Sequence, residues 1–252
     1  MAEAPAPVVE YAVTDAVATI TLDSPHNRNA LSRQLLAELE DALDRAAADD
    51  TARVVLIRAA GRVFCSGADL GEAAAGSMAD GARRIVALQR RILALPKPVV
   101  TRVHGAVRAG GTGIVAASDV AIAAEDATFA LTEVKLALAP AAISVSVLDR
   151  MTTRAAALTA LGGEVFSGAD AVAYGLVTTA VPAEELDAEV DRVCASLATG
   201  AAQGLRETKA LLNRDLIARL DERGEELAGL SARLFGSEEA RAAMTAFLQR
   251  GR

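Results

Sequence analysis

Two stretches of this sequence carry residue types whose spacing suits chemistry. The first is His104-Gly105-Ala106-Val107-Arg108-Ala109-Gly110-Gly111-Thr112-Gly113-Ile114, running on to Ser118-Asp119. It lies between two apolar runs that read as buried strands, Val99 to Val103 and Val120 to Ala123, so its glycines fall where a strand hands over to a short apolar helix. The first amides of a helix have no partner within it and sit at the positive end of the aligned peptide dipoles. Such a junction therefore welcomes an oxyanion or a polarised carbonyl, and glycine lets a ligand come close. The run is neither the dinucleotide pattern nor a P-loop, because no Gly-Lys-Ser/Thr follows, and packing in a tight turn is the commoner reason for such a glycine cluster. The second stretch holds Glu133 between apolar Leu131 and Val134. Desolvation there raises a carboxyl pKa and suits it to proton transfer near neutral pH. A surface carboxylate at a strand end is the competing account.

Composition narrows the classes. The chain has 252 residues, 52% hydrophobic and 3% aromatic with no Trp, so Ala, Val, Leu and Ile must build the core of one large domain or of one domain with a small appendage. Net charge is −7 with no block of Lys or Arg, which argues against nucleic acid as a partner. Cys65 and Cys194 lie far apart, and only His26 and His104 are available to join them, so neither a disulfide framework nor a metal site is expected. Met1 to Pro7 has neither a basic start nor an apolar core, and no apolar run reaches about 18 residues. The reading is a soluble, cytoplasmic protein without membrane contact.

The elements that must position these groups alternate. Val8 to Val13 and Ala16 to Leu22 read as a hairpin around Thr14-Asp15, and Ser24 to Asn29 as a loop. Ser32 caps a helix whose buried face is Leu35, Leu36, Leu39, Ala42, Leu43 and Ala46, and Val54 to Ile57 is a buried strand. Arg83 to Leu95 is helical up to Pro96-Lys97-Pro98. Phe129 to Leu136 reads as a short strand entering a loop, Pro140 to Met151 as a buried helix, and Thr152 to Leu161 and Ser167 to Tyr174 as two more, the last ended by Gly175. Leu176 to Val181 is the final strand. Helices then fill about 184–199, 203–220, 222–235 and 237–249. Strand, helix, strand order makes the class α/β.

Four segments in this order resemble the enoyl-CoA hydratase/isomerase, or crotonase, family: Phe64-Cys65-Ser66-Gly67-Ala68-Asp69-Leu70; His104-Gly105 through Gly110-Gly111 to Asp119; Phe129 to Pro140; and Ala169-Asp170-Ala171-Val172-Ala173-Tyr174-Gly175-Leu176-Val177. The resemblance implies a crotonase (ClpP-like) spiral of ββα units in two stacked sheets over residues 1–195 and a C-terminal helical trimerisation region over 196–252. It implies assembly as trimers or pairs of trimers, and an acyl-CoA substrate whose coenzyme A is the only cofactor-like group. It also implies that the thioester oxygen sits between the amides of Ala68 and Gly110. Substrate contacts by resemblance are Arg28, Ala30, Ser66, Ala68, Asp69, Leu70, Gly110, Gly111 and Gly113, while Phe247 and Arg250 are placed to touch a neighbouring subunit's nucleotide.

Hydration of a 2-enoyl thioester needs water at the β-carbon and a proton at the α-carbon, and many hydratases of the family place two glutamates over the double bond. This chain has Gly113 at the first position and Glu133 at the second. Gly110 to Ile114, with Thr132 to Leu136 and Ala139 to Ser144, resembles the branch containing methylglutaconyl-CoA hydratase, which also has glycine at the first position. Enoyl-CoA hydration with Glu133 as acid/base is therefore the leading expectation; a one-base 3,2-enoyl-CoA isomerase and a catalytically silent acyl-CoA-binding member are the alternatives. Arg108 stands where the family tends to carry an apolar or aromatic residue, and either a carboxylate on the acyl group or an acidic side chain at a subunit contact suits it. Ser66 and Cys65 beside a glycine turn have no His and Asp arranged to activate them, so nucleophilic catalysis is not expected. Asp119 reads as a capping or surface-turn residue.

Overall fold

Local signals at the N-terminus carry straight into the computed structural model, which describes residues 6–69, 71–72 and 78–250. Strands β1 (Val9–Thr14) and β2 (Val17–Leu22) pair antiparallel. Their turn is Asp15-Ala16, one residue later than the alternation suggested, with both φ positive at 48° and 63°. That backbone matches the twist of a two-residue hairpin. In α1 (Arg33–Ala48) the Ser32 hydroxyl accepts the Leu35 amide at 3.2 Å, and the six apolar residues of the expected stripe are all buried.

From β2 onward the first sheet runs parallel. Its order is β1-β2-β3-β5-β7-β10, with β3 (Val54–Ala59), β5 (Val99–Val103), β7 (Val120–Ala124) and β10 (Thr179–Val181). Both faces of β3, β5 and β7 are largely covered, which is why they read as apolar-rich runs. The second sheet has order β4-β6-β8-β9, from β4 (Val63–Cys65), β6 (Ala106–Arg108), β8 (Thr128–Ala130) and β9 (Phe166–Ser167). Here β4, β6 and β8 are parallel and β9 closes the edge antiparallel. The chain visits one sheet, then the other, then a helix: β3-β4 leads to α2 (Met78–Ala94) and β5-β6 to α3 (Gly110–Ala117). This is the expected spiral of ββα units.

Strand β6 is a correction. The stretch from His104 was read as a direct handover from strand to helix, yet three residues of it join a second sheet. Only long-range pairing with β4 and β8 makes so short a segment a strand. Further differences follow the same pattern. Helix α2 begins at Met78, ahead of the expected Arg83, and the single helix read over Pro140 to Met151 is a 3₁₀ turn, Ala141–Ile143, leading into α4 (Ser144–Arg150). Helices α5 (Thr153–Gly162), α6 (Gly168–Ala173) and α7 (Leu186–Ala198) come as expected, but β10 occupies only the last three residues of the strand read from Leu176.

The two helices expected over 203–235 are one, α8 (Ala202–Phe235), followed by α9 (Glu238–Arg250). Gly224 does not break α8: a Cβ there would lie 2.8 Å from Val86 Cγ1, so the glycine admits close approach of α2. Arg90 pairs with Asp221 and Arg83 with Glu225 across the same contact. Tertiary packing overrides the weak local signal. Among the described residues no helix is long and apolar enough to cross a membrane.

Candidate active site

Parallel neighbours release their chains on the same side of a sheet, and ligands collect at those carboxyl ends. Here β4 ends into residues 66–69, β6 into 109–113 and β8 into 131–136, so the two stretches singled out above and the Phe64-to-Asp69 segment converge. The contacts are close. A Cβ on Gly67, whose φ is +91°, would fall 2.9 Å from Ala109 Cβ, and one on Gly111 would fall 2.7 Å from Cys65 Cβ. The Leu31 amide donates to Gly67 O at 2.8 Å, Leu31 bridges to Ala68, and a Cβ on Gly110 would meet Leu31 Cδ1 at 2.6 Å. Leu31 thus links the residues that carry both expected amide donors.

Gly110, Gly111 and Gly113 have no positive φ. Their missing side chains face protein atoms, so glycine serves close packing of α3 rather than backbone freedom. The strained residue is Ala109, at φ 44° and ψ −119°, which starts α3 without a side-chain cap. Such a conformation costs about 1 to 3 kcal/mol outside glycine and persists only when its surroundings impose it. The amides of Gly110 and Gly111 have no acceptor within the helix.

Glu133 lies in the 3₁₀ turn Thr132–Leu136 directly after β8. That turn directs Glu133 inward, leaving it 9% exposed, and Val134 outward. Burial pushes its carboxyl up to about 7, with its own amide pulling weakly the other way. Among the described residues its Oε2 has no hydrogen-bond partner. A buried carboxyl with one oxygen unpartnered, titrating near neutrality, is equipped to take and return a proton.

The remaining expected contacts divide. Arg28 is exposed, in the left-handed region, and its carbonyl accepts the Ser66 amide at 3.1 Å. Arg28 lines a cleft of about 540 Å³ together with Arg62, Gly61 and Pro25. Ala30 is buried beside Leu31. Ser66 Oγ donates to Asn27 O, and the Cys65 thiol is pushed up to about 12 by burial, so neither has an activating base. The Asp69 carboxylate accepts the amides of Gly71 and Glu72, which commits it to the local turn. Leu70 and the side chains of Phe247 and Arg250 lie outside the described residues. The Arg108 guanidinium donates to Val107 O, Thr128 O and Thr128 Oγ1, toward the start of β8 and away from the end that carries Glu133.

Gln89 had no clear signature in the sequence beyond being a polar residue on the apolar face of its helix, between Ile85 and Ile92. It is 1% exposed; its amide donates to Ile85 O at 2.9 Å and Ala142 O at 2.8 Å, and its carbonyl accepts the Ser146 hydroxyl at 2.7 Å. It lies directly against Gly113.

Comparison with known proteins agrees with this geometry. A family model described as enoyl-CoA hydratase/isomerase matches residues 12–252. A crystal structure of an enoyl-CoA hydratase from Mycobacterium avium superposes with a TM-score of 0.91 at 42% identity, covering 98% of each chain. A Bacillus subtilis protein named "probable enoyl-CoA hydratase" is 34% identical over 96% of each chain. A trans-2-decenoyl-[acyl-carrier-protein] isomerase from Streptococcus mutans is 32% identical over 80% of each.

Proposed function

The chain belongs to the enoyl-CoA hydratase/isomerase family, and from that premise we propose that it hydrates a 2-enoyl-CoA thioester reversibly, with Glu133 as its only proton-transfer group. The observation that carries this reading is the buried carboxyl of Glu133, raised to about 7 and with Oε2 unpartnered among the described residues, in the turn after β8, whose neighbour β6 leads to Gly110 and, one strand further, β4 to Ala68. The amides of Ala68 and Gly110 hold the thioester oxygen. Fixed donors of this kind contribute about 3 kcal/mol each as charge develops on the oxygen. The Glu133 carboxylate takes a proton from water as the water oxygen bonds to the β-carbon, and the π electrons move onto the thioester oxygen as an enolate. The enolate then collapses and takes the same proton from Glu133 at the α-carbon, so the product gains one water and the carboxylate is restored. Coenzyme A enters as part of the substrate, along the loop of Arg28 and Ala30.

A second reading, 3,2-enoyl-CoA isomerisation, is favoured by Gly113 at the first acid position, because one base can carry a proton from C2 to C4 of a dienolate. Self-association in trimers or pairs of trimers belongs to the proposal, supported by exposed apolar Leu158, Leu161 and Val165. The test is direct. Mixing with crotonyl-CoA or longer homologues is expected to remove the absorbance of the conjugated enoyl thioester, and Glu133→Gln to abolish turnover. Unchanged turnover in that variant rejects the role of Glu133. Conjugated product formed from a 3-enoyl-CoA without net hydration favours isomerisation, and binding without either reaction favours a silent acyl-CoA binder.

A further inference from the structure

Glycine in a helix interior is less favourable than alanine by about 1 kcal/mol, so a glycine there with ordinary φ needs a reason in packing. Gly113 has such a reason. A Cβ on it would lie 2.7 Å from Ile143 Cγ2, 3.1 Å from Gln89 Cδ and 3.3 Å from Gln89 Oε1. Neither neighbour is free to move. Ile143 is buried in the core, and Gln89 is held by hydrogen bonds to Ile85 O, Ala142 O and the Ser146 hydroxyl, which tie α2 to the 3₁₀ turn Ala141–Ile143 and to α4.

We propose that Gln89 and Ile143 are reaction-determining residues: they fill the space that a side chain on Gly113 would need, and so confine the site to one carboxyl. The proposal rests on the reading of Glu133 as the proton-transfer group and adds why no second one stands beside it. The first acid position is not merely lacking its glutamate; its place is built over. A second carboxylate that would hold water against the β-carbon is thereby excluded, and the proton must leave and return through Glu133 alone. Restoring a glutamate at residue 113 therefore requires that the wall be opened first.

The experiment uses the full chain. Gly113→Ala is expected to lower the melting midpoint by about 5 °C, the usual scale of overpacking in a chain of this size. Most of that loss disappears when the same change is made in an Ile143→Ala background. An unchanged midpoint in Gly113→Ala, or a loss equal in both backgrounds, overturns the wall. For the chemistry, Gly113→Glu is compared in the native chain and in a Gln89→Ala, Ile143→Ala background, by the ratio of 2-enoyl-CoA hydration to 3-enoyl-CoA isomerisation. The ratio is expected to rise at least tenfold only in the opened background. A rise of the same size in the native chain, or none in an opened variant that folds, overturns the proposal. If the opened variant does not fold, the melting cycle decides. Should Glu133→Gln keep full activity, the reading of Glu133 fails, and the melting cycle still judges the wall on its own.

Discussion

Two buried ionic sites in this molecule are built on opposite principles. At Glu133 a carboxyl is desolvated and one oxygen is left without a partner. Beneath α8, Lys209 is 4% exposed, and its ammonium reaches Asp119 Oδ2 at 2.8 Å, Ile92 O at 2.8 Å and Lys97 O at 3.0 Å. Asn213 donates to Asp119 Oδ1 and Leu93 O, and Asp119 also accepts the Val99 amide. Burial pulls the Lys209 ammonium below the usual lysine range, while Asp119 pulls it back. Both carboxylate oxygens of Asp119 have a donor, so this cluster fixes the long helix to β5 and the turn after α3. Asp119, read from the sequence as a capping or surface-turn residue, is instead the half-buried centre of this anchor. Here burial with partners anchors the fold, and burial without them leaves a carboxyl raised toward neutrality.

Variants can break or sharpen that contrast. The largest expected effect is on turnover: Glu133→Gln should lower kcat about a thousandfold, worth about 4 kcal/mol, with the fold intact by circular dichroism. Lys209→Met should do the reverse. It leaves the half-buried Asp119 without its cation and should cost about 3 kcal/mol in urea unfolding, with kcat of the folded fraction little changed. A collapse of kcat in the folded Lys209→Met protein would dissolve the distinction.

The third test is pH. Glu133 titrates at about 7 in the fold against an ordinary 4.5, so as pH rises past 4.5 the unfolded chain ionises first and stability falls until about 7. Glu133→Gln removes this penalty and should be more stable than the parent at pH 8, by up to roughly 3 kcal/mol, with no gain at pH 4. Thermal melts across that range check it, and equal stability at both ends would mean that the carboxyl is not desolvated. Smallest is Asn213→Ala, which removes one hydrogen bond to the Asp119 carboxylate and one to Leu93 O and should cost about 2 kcal/mol with no effect on catalysis.

Elements that declare themselves locally were readable from the sequence. Ser32 with its apolar stripe, the apolar-rich runs of β3, β5 and β7, and the helix from Ser167 ended by Gly175 each depend on residues within one turn or one strand. Strand β6 and the unbroken α8 were not legible, because partners far along the chain decide them. At the site, the sequence supplied the glycines, the lone carboxyl and the family pattern. It left open whether the glycines serve packing or ligand approach, since a missing Cβ says nothing of which atom occupies its place.

By itself, then, the sequence determined the α/β class, which follows from short-range periodicity, and through its resemblance to a family it marked the glycine run and Glu133 as candidates for chemistry. Tertiary structure alone decided that β4, β6 and β8 release their chains side by side, that Glu133 is dry enough to titrate near neutrality, and that Gln89 and Ile143 close over Gly113. Desolvation and steric exclusion depend on atoms brought together from distant parts of the chain, and no local pattern encodes them.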